Sequence, residues 1–274
     1  ALLAVAASTI FTSTSTHAEN EQEVINLDTI SVSAERPIDN TERTEQLSDA
    51  IYTDSTTRSS AGLSLTVKET PQSISVFSRQ RMQDQHLSTL NDVLSQTSGI
   101  SVKEYDSARQ YYYSRGFEIN TILIDGVPTL FDPGWGTGEN SANTTIYEQV
   151  EIIKGATGLM SGSGNPSAAI NLVRKRASSE EFTGTADLGL GSRNEITATL
   201  DLASGLNETG SVRGRAVIHR EQQDSFRDVG DSTQNIIYAT TEADLSDETQ
   251  LTLGGSIQEN INNGATWGGI PGWY

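Results

Sequence analysis

Residues Tyr147 to Arg176 read YEQVEIIKGATGLMSGSGNPSAAINLVRKR. Two runs rich in β-branched residues flank a loop of glycine and serine. Gln149 to Lys154 has the length and composition of a strand, and Ala169 to Arg174 of a second. Between them Gly155, Gly158, Gly162 and Gly164 offer the backbone freedom that a tight reversal needs, so the chain is expected to double back. Phosphate-cradling loops also use glycines, but no Gly-Lys-Ser/Thr follows these and the GxGxxG spacing is absent, which argues against nucleotide binding.

Upstream, residues from Thr66 to about Lys175 read as a compact mixed α/β module. Ser78 is a plausible N-cap, and Leu87, Leu90, Val93 and Leu94 form an i, i+3, i+6, i+7 apolar stripe that stops before Gly99. The pattern predicts one helix there and further strands at Ile100 to Lys103 and Thr121 to Asp125. Residues 19–64 are rich in Ser, Thr, Asp and Glu with few large apolar side chains, a composition that cannot offset the entropy of ordering and predicts a mobile leader. One island interrupts it: Asp28, Thr29, Ile30, Ser31, Val32, Ser33 and Ala34 alternate polar and apolar. Such a strand can add itself to the sheet edge of another protein, or serve as an edge strand of the next domain.

The opening AlaLeuLeuAlaValAlaAla run, closing at ThrHisAla (Thr16 to Ala18), reads as the h-region and cleavage site of a secretory signal over 1–18 without its basic start. A buried N-terminal helix is the competing reading. It fits less well, since the run lies directly before a polar, Ser/Thr-rich tract.

After Glu181 the period changes to two. Ala186, Leu188 and Leu190 share a face against Thr185 and Asp187. Ile196, Ala198, Leu200 and Leu202 oppose Glu195, Thr197, Thr199 and Asp201, and Val212, Ala216 and Ile218 oppose Arg213, Arg215 and His219. Ile237, Ala239, Ala243 and Leu245 then oppose Tyr238, Thr240, Glu242 and Asp244, while Leu251, Leu253 and Ile257 oppose Gln250, Thr252 and Gln258. Runs of about ten residues suit transmembrane strands with apolar side chains outward. A soluble sandwich, with the apolar face against a second sheet, has the same alternation. A tight turn at Ser246 to Thr249 and a longer link over Glu221 to Gln234 match short and long barrel connections.

The 36 Asp and Glu against 18 Lys and Arg, a net charge of −18, argue against nucleic-acid binding. With no cysteine there is no thiol catalysis, Cys-ligated zinc or disulfide, and His17, His86 and His219 are too scattered to form a metal cluster. No GxSxG elbow is present and no histidine lies near a plausible nucleophile, so a hydrolase is not expected.

VEIIKG and INLVRKR around their Gly-rich loop resemble the plug domain of the TonB-dependent outer-membrane receptors. Three further segments agree in order and spacing: TPQSISV (Thr70 to Val76), YSRGF (Tyr113 to Phe117) and IDGVP (Ile124 to Pro128). Within the family, GLMSGSGNPSAAIN (Gly158 to Asn171) looks most like the ferric coprogen and ferric rhodotorulic acid receptors. The resemblance implies an α+β plug domain over 65–178, followed over 182–274 by the first five or so strands of a membrane-spanning antiparallel β-barrel. A plugged transporter barrel has roughly 22 strands, so most of it would lie beyond Tyr274.

It further implies a TonB box at Asp28 to Ala34, facing the periplasm, that recruits TonB and its inner-membrane energising complex. The expected ligand is a ferric siderophore, of hydroxamate type, so that iron arrives already chelated and no cofactor is bound directly. The chain is then a transporter in the bacterial outer membrane, in contact with its lipid, and not an enzyme. Arg115 and Lys154 are the expected cationic contacts from plug to barrel wall. Relatives often carry Arg at the latter position, whose carboxylate fork Lys cannot reproduce. Tyr111, Tyr112 and Tyr113 together with Phe131 and Trp135 are the candidate ligand rim, with core packing as the alternative for whichever tyrosine points inward. Other cargo (a cobalamin, haem or a glycan) and a non-energised structural barrel remain alternatives.

Overall fold

The structure, a computed structural model, describes residues 73–106, 109–129, 142–155, 166–226, 230–246 and 248–264, with the backbone of 56–57 and 65–66. The signal, the 28–34 segment and the residues Phe131 and Trp135 lie outside this set.

The strands numbered here in chain order begin with β1 (Thr56–Thr57) and β2 (Leu65–Thr66), an antiparallel pair. The decisive hairpin forms as expected: β9 (Tyr147–Lys154) and β10 (Ala168–Arg174) pair antiparallel, with Ala168 opposite Lys154 and Leu172 opposite Val150. On the outer side of β9 lies β3 (Ser73–Ser78), antiparallel, with Phe77 opposite Val150. On the far side of β10 lies β7 (Thr121–Ile124), parallel, with β8 (Val127–Thr129) closing the edge. The sheet order is therefore β3-β9-β10-β7-β8. Its central strands are covered on both faces, so consecutive residues Val150, Glu151, Ile152 and Ile153 are all buried. The apolar core adds Phe77, Met82, Leu90, Leu94, Ile122 and Ile170, each at 0–1% exposure. Every such side chain contributes roughly 1.5–3 kcal/mol of transfer free energy.

The expected single helix is two short ones. Ser78 caps α1 (Arg79–Asp84), its hydroxyl accepting from Arg81 N at 3.3 Å. His86 then takes a left-handed φ of 52°, which ends helical propagation. Thr89 restarts it as α2 (Leu90–Ser95) through a capping box: Asp92 N donates to Thr89 Oγ1 at 3.2 Å and Thr89 N donates to Asp92 Oδ2 at 2.9 Å. Leu87 lies in the link, still buried with Leu90, Val93 and Leu94. Gly99 stops the chain at φ 78°, as its position suggested.

The YSRGF and IDGVP segments are both hairpins with two-residue loops. Strands β4 (Ile100–Glu104), β5 (Gln110–Ser114) and β6 (Phe117–Glu118) form a small sheet, and Arg115-Gly116 joins β5 to β6. Asp125-Gly126 joins β7 to β8. All four turn residues have positive φ, the type I′ geometry whose twist matches that of the flanking strands. Asp125 also accepts from Arg174 N at 2.8 Å and Arg174 Nε at 2.6 Å, which ties this turn to the end of β10.

Beyond Glu181 the chain forms an antiparallel meander of five strands: β11 (Thr183–Leu190), β12 (Ile196–Gly205), β13 (Val212–Asp224), β14 (Asp231–Ser246) and β15 (Thr249–Asn263). The turn at Ser246 to Thr249 is tight, as expected. The longer link expected over Glu221 to Gln234 is shorter, because pairing continues to Asp224 opposite Asp231.

Candidate functional site at the junction of plug and sheet wall

Alternation in the meander is inverted relative to a soluble sheet. Leu188 and Leu190 are 88% and 87% exposed and Ile257 is 73% exposed, while Glu242, His219 and Arg213 on the opposite face are 2%, 6% and 8% exposed. The charged face packs against the plug, and the apolar face has no covering sheet among the described residues. That favours the barrel over the sandwich.

The last plug residues run along this charged face as a strap, and three successive carbonyls each accept a side-chain bond from it. Tyr238 Oη donates to Lys175 O at 2.6 Å, Arg215 Nη1 to Arg176 O at 3.2 Å and Arg213 Nε to Ala177 O at 3.2 Å. Side chains reinforce them. Lys175 Nζ lies 2.7 Å from Asp201 Oδ2, and the same carboxylate accepts from Arg215 Nε and Nη2, both at 2.8 Å. Arg176 Nε stands 3.9 Å from the buried Glu242, and Arg213 forks onto Asp244. Burial, with the nearby Arg79 charge, holds the Lys175 ammonium below the usual lysine range despite its carboxylate partner.

A second junction centres on Asn143, fully buried at the N-cap of the 3-10 turn Thr144–Ile146. Its Oδ1 accepts from Thr145 N at 2.8 Å. Its Nδ2 donates to Gln234 Oε1 at 2.7 Å and lies 3.2 Å from His219 Nε2, while Thr199 Oγ1 lies 2.8 Å from His219 Nδ1.

Of the predicted plug-to-wall cations, Lys154 donates to Ser98 O at 2.8 Å, a bond inside the plug. Its ammonium is held below the ordinary lysine value by burial and then by the neighbouring Arg115. No ion pair joins Arg115 or Lys154 to a carboxylate among the described residues. The cations that meet the wall here are Lys175 and Arg176, two and three residues past the Leu-Val pair of β10.

The tyrosine triplet divides. Tyr112 is fully buried, and burial raises its phenol above the usual tyrosine value, so as a member of the ligand rim it is corrected: it packs in the plug core. Tyr111 and Tyr113 keep part of their surface. Tyr111 stands edge-on to Tyr105, 53% exposed, at 5.8 Å between ring centroids, and Arg109 lies over the Tyr105 ring at 4.8 Å. Tyr105 is an aromatic neighbour that the sequence reading did not single out.

Residues 66–169 match the family model described as TonB-dependent Receptor Plug Domain. The chain therefore carries the plug of a TonB-dependent receptor followed by antiparallel strands of its barrel. It is 42% identical over 219 residues to the ferripyoverdine receptor of Pseudomonas aeruginosa, covering 80% of this chain and 27% of that protein. The solved structure of that outer-membrane receptor bound to ferripyoverdine superposes with a TM-score of 0.76 at 41% identity, covering 79% of this chain and 29% of the other. The alcaligin outer-membrane receptor of Bordetella pertussis gives 0.70 at 37%, covering 77% and 36%. The chain thus spans about a quarter of the length of the ferripyoverdine receptor it matches. The narrower likeness expected, to coprogen and rhodotorulic acid receptors, is corrected to one with pyoverdine receptors.

Proposed function

We propose that this chain is the plug and opening barrel of an outer-membrane receptor that imports a ferric siderophore, with energy supplied through TonB. The observation that carries the reading is the inverted meander, greasy outward and charged toward a plug strapped to it at Lys175 to Ala177. A lipid-facing wall with a protein-filled interior accounts for both faces at once. The proposed leader over 19–64 presents Asp28 to Ala34 to TonB in the periplasm, and the plug over 65–178 leads into the barrel from 182 onward.

Tyr111 and Tyr113, with Phe131 and Trp135, are proposed as the rim that meets the chelate, while Arg115 and Lys154 are proposed to meet carboxylates of the wider barrel. Relatives named for ferripyoverdine make that class of chelate the first cargo to test, ahead of the simpler hydroxamates. Ligand must favour a plug state in which the leader is accessible, since equal affinity for both states shifts nothing.

The test is radio-iron uptake by iron-starved cells expressing the full-length receptor, offered ferripyoverdine, ferric coprogen, ferric rhodotorulic acid and a catecholate chelate in parallel. Uptake from ferripyoverdine alone supports the reading. Uptake from coprogen or rhodotorulic acid instead restores the hydroxamate class, and uptake from none refutes siderophore import.

A further inference from the structure

The junction at Asn143 has a chemical asymmetry that the strap lacks. Because Asn143 Oδ1 is committed to Thr145 N, its amide nitrogen faces both wall partners, giving one hydrogen to Gln234 Oε1 and the other to His219 Nε2. His219 Nε2 must then be the unprotonated, accepting nitrogen, and Nδ1 carries the hydrogen that goes to Thr199 Oγ1. A proton added at Nε2 would turn that acceptor into a donor and set N–H against N–H. An alternative acceptor is at hand: Glu221 Oε2 lies 3.7 Å from Nε2, on the wall itself.

We propose that Asn143 is a positioning residue that latches the plug to the wall, and that His219 opens the latch on protonation by exchanging Asn143 for Glu221. The proposal rests on the receptor reading above. Around the imidazole, β12 presents Thr199, β14 presents Gln234 and Ile236, and the plug presents Asn143, with the Arg79 guanidinium at the same turn donating to Thr144 O at 3.1 Å. Glu221 is the carboxylate within ion-pair reach among the described residues, and along the same inner face Asp201 and Arg215 are paired with each other. The Asn143 segment is also bound to the helices, with Leu90 N donating to Ala142 O at 2.9 Å and Thr144 N to Ser88 O at 2.8 Å. Release at Asn143 therefore frees the α2 side of the plug from the wall, while the strap stays fixed elsewhere.

The experiment compares full-length receptor and the variants Asn143→Leu and His219→Gln in the outer membrane. It measures entry of a bulky antibiotic that intact plugs exclude, near neutrality and in mild acid at about pH 5.5. Glutamine keeps an acceptor for Asn143 and takes no proton. Asn143→Leu should admit the antibiotic about tenfold faster at both pH values, the size of shift that losing two hydrogen bonds to the wall produces. The native receptor should leak more in acid, and His219→Gln should not, with ferric-chelate binding at the cell surface unchanged in all three. Equal acid response of the native receptor and His219→Gln overturns the latch, as does an Asn143→Leu receptor that folds and stays sealed. Uptake of iron by the native receptor, measured in the same cells, reports separately on the receptor reading.

Discussion

Lys175 Nζ lies 2.7 Å from Asp201 Oδ2, so the last residues of the plug and the second strand of the wall share one carboxylate with Arg215. With Arg79 close enough to depress the lysine, three cations gather around Asp201 where Lys175 is 3% exposed, and Glu148 acts on the two arginines as well. The pair is thus an unequal one. Asp201 is the member on which the others depend.

Asp201→Ala should destabilise the plug by about 3–5 kcal/mol, because it leaves the buried Lys175 ammonium without its carboxylate. Lys175→Met keeps the Arg215 fork on Asp201 and removes a cation from the crowd, so its cost should be about 1 kcal/mol or less. Thermal unfolding of the detergent-solubilised receptor ranks the two, and a costlier Lys175→Met would contradict this assignment.

Asn171→Asp should be among the most damaging single changes in the plug. Fully buried Asn171 donates to Glu151 Oε2 at 2.9 Å and accepts from Gly126 N at 2.9 Å, joining β9, β10 and the β7–β8 turn. The substitution replaces a donor by a second carboxylate against a buried first one, at a cost of roughly 3 kcal/mol or more. The deficit should shrink in acid, where one carboxyl of the new pair takes a proton. Denaturant titrations at neutral and acid pH distinguish this from a simple packing defect, whose cost would not change.

Burial, seconded by Asp125 and opposed by Arg174, pushes the Tyr147 phenol up to about 12, against 10.0 for a free tyrosine. Between these values the unfolded chain has lost the proton and the folded plug has kept it. Plug stability should therefore fall as pH rises from about 10 toward about 12, by roughly 2–3 kcal/mol. Tyr147→Phe should remove this part of the alkaline loss.

What the sequence disclosed followed the range of the interactions. The β9–β10 hairpin and the period-two runs are local patterns, and the strands found cover the expected runs, with β9 starting two residues earlier and β10 one. The stripe of Leu87, Leu90, Val93 and Leu94 was read rightly as buried but wrongly as one helix. The Thr89-to-Asp92 spacing of a capping box carried the signal that splits it. Arg115 and Asp125 are explained by turn geometry, legible as Arg-Gly and Asp-Gly between strands. The latch had no local signature, since Asn143 meets partners 76 and 91 residues later. Asp201, Arg215 and Tyr238 stood out only as the polar side of an alternation, and which of them would meet the strap depends on how the wall closes around the plug.

The most direct test of TonB-coupled import removes Asp28 to Ala34 from the full-length receptor and measures energised radio-iron uptake alongside chelate binding at the cell surface. Binding should persist while uptake is lost. Uptake that survives the deletion would contradict that coupling.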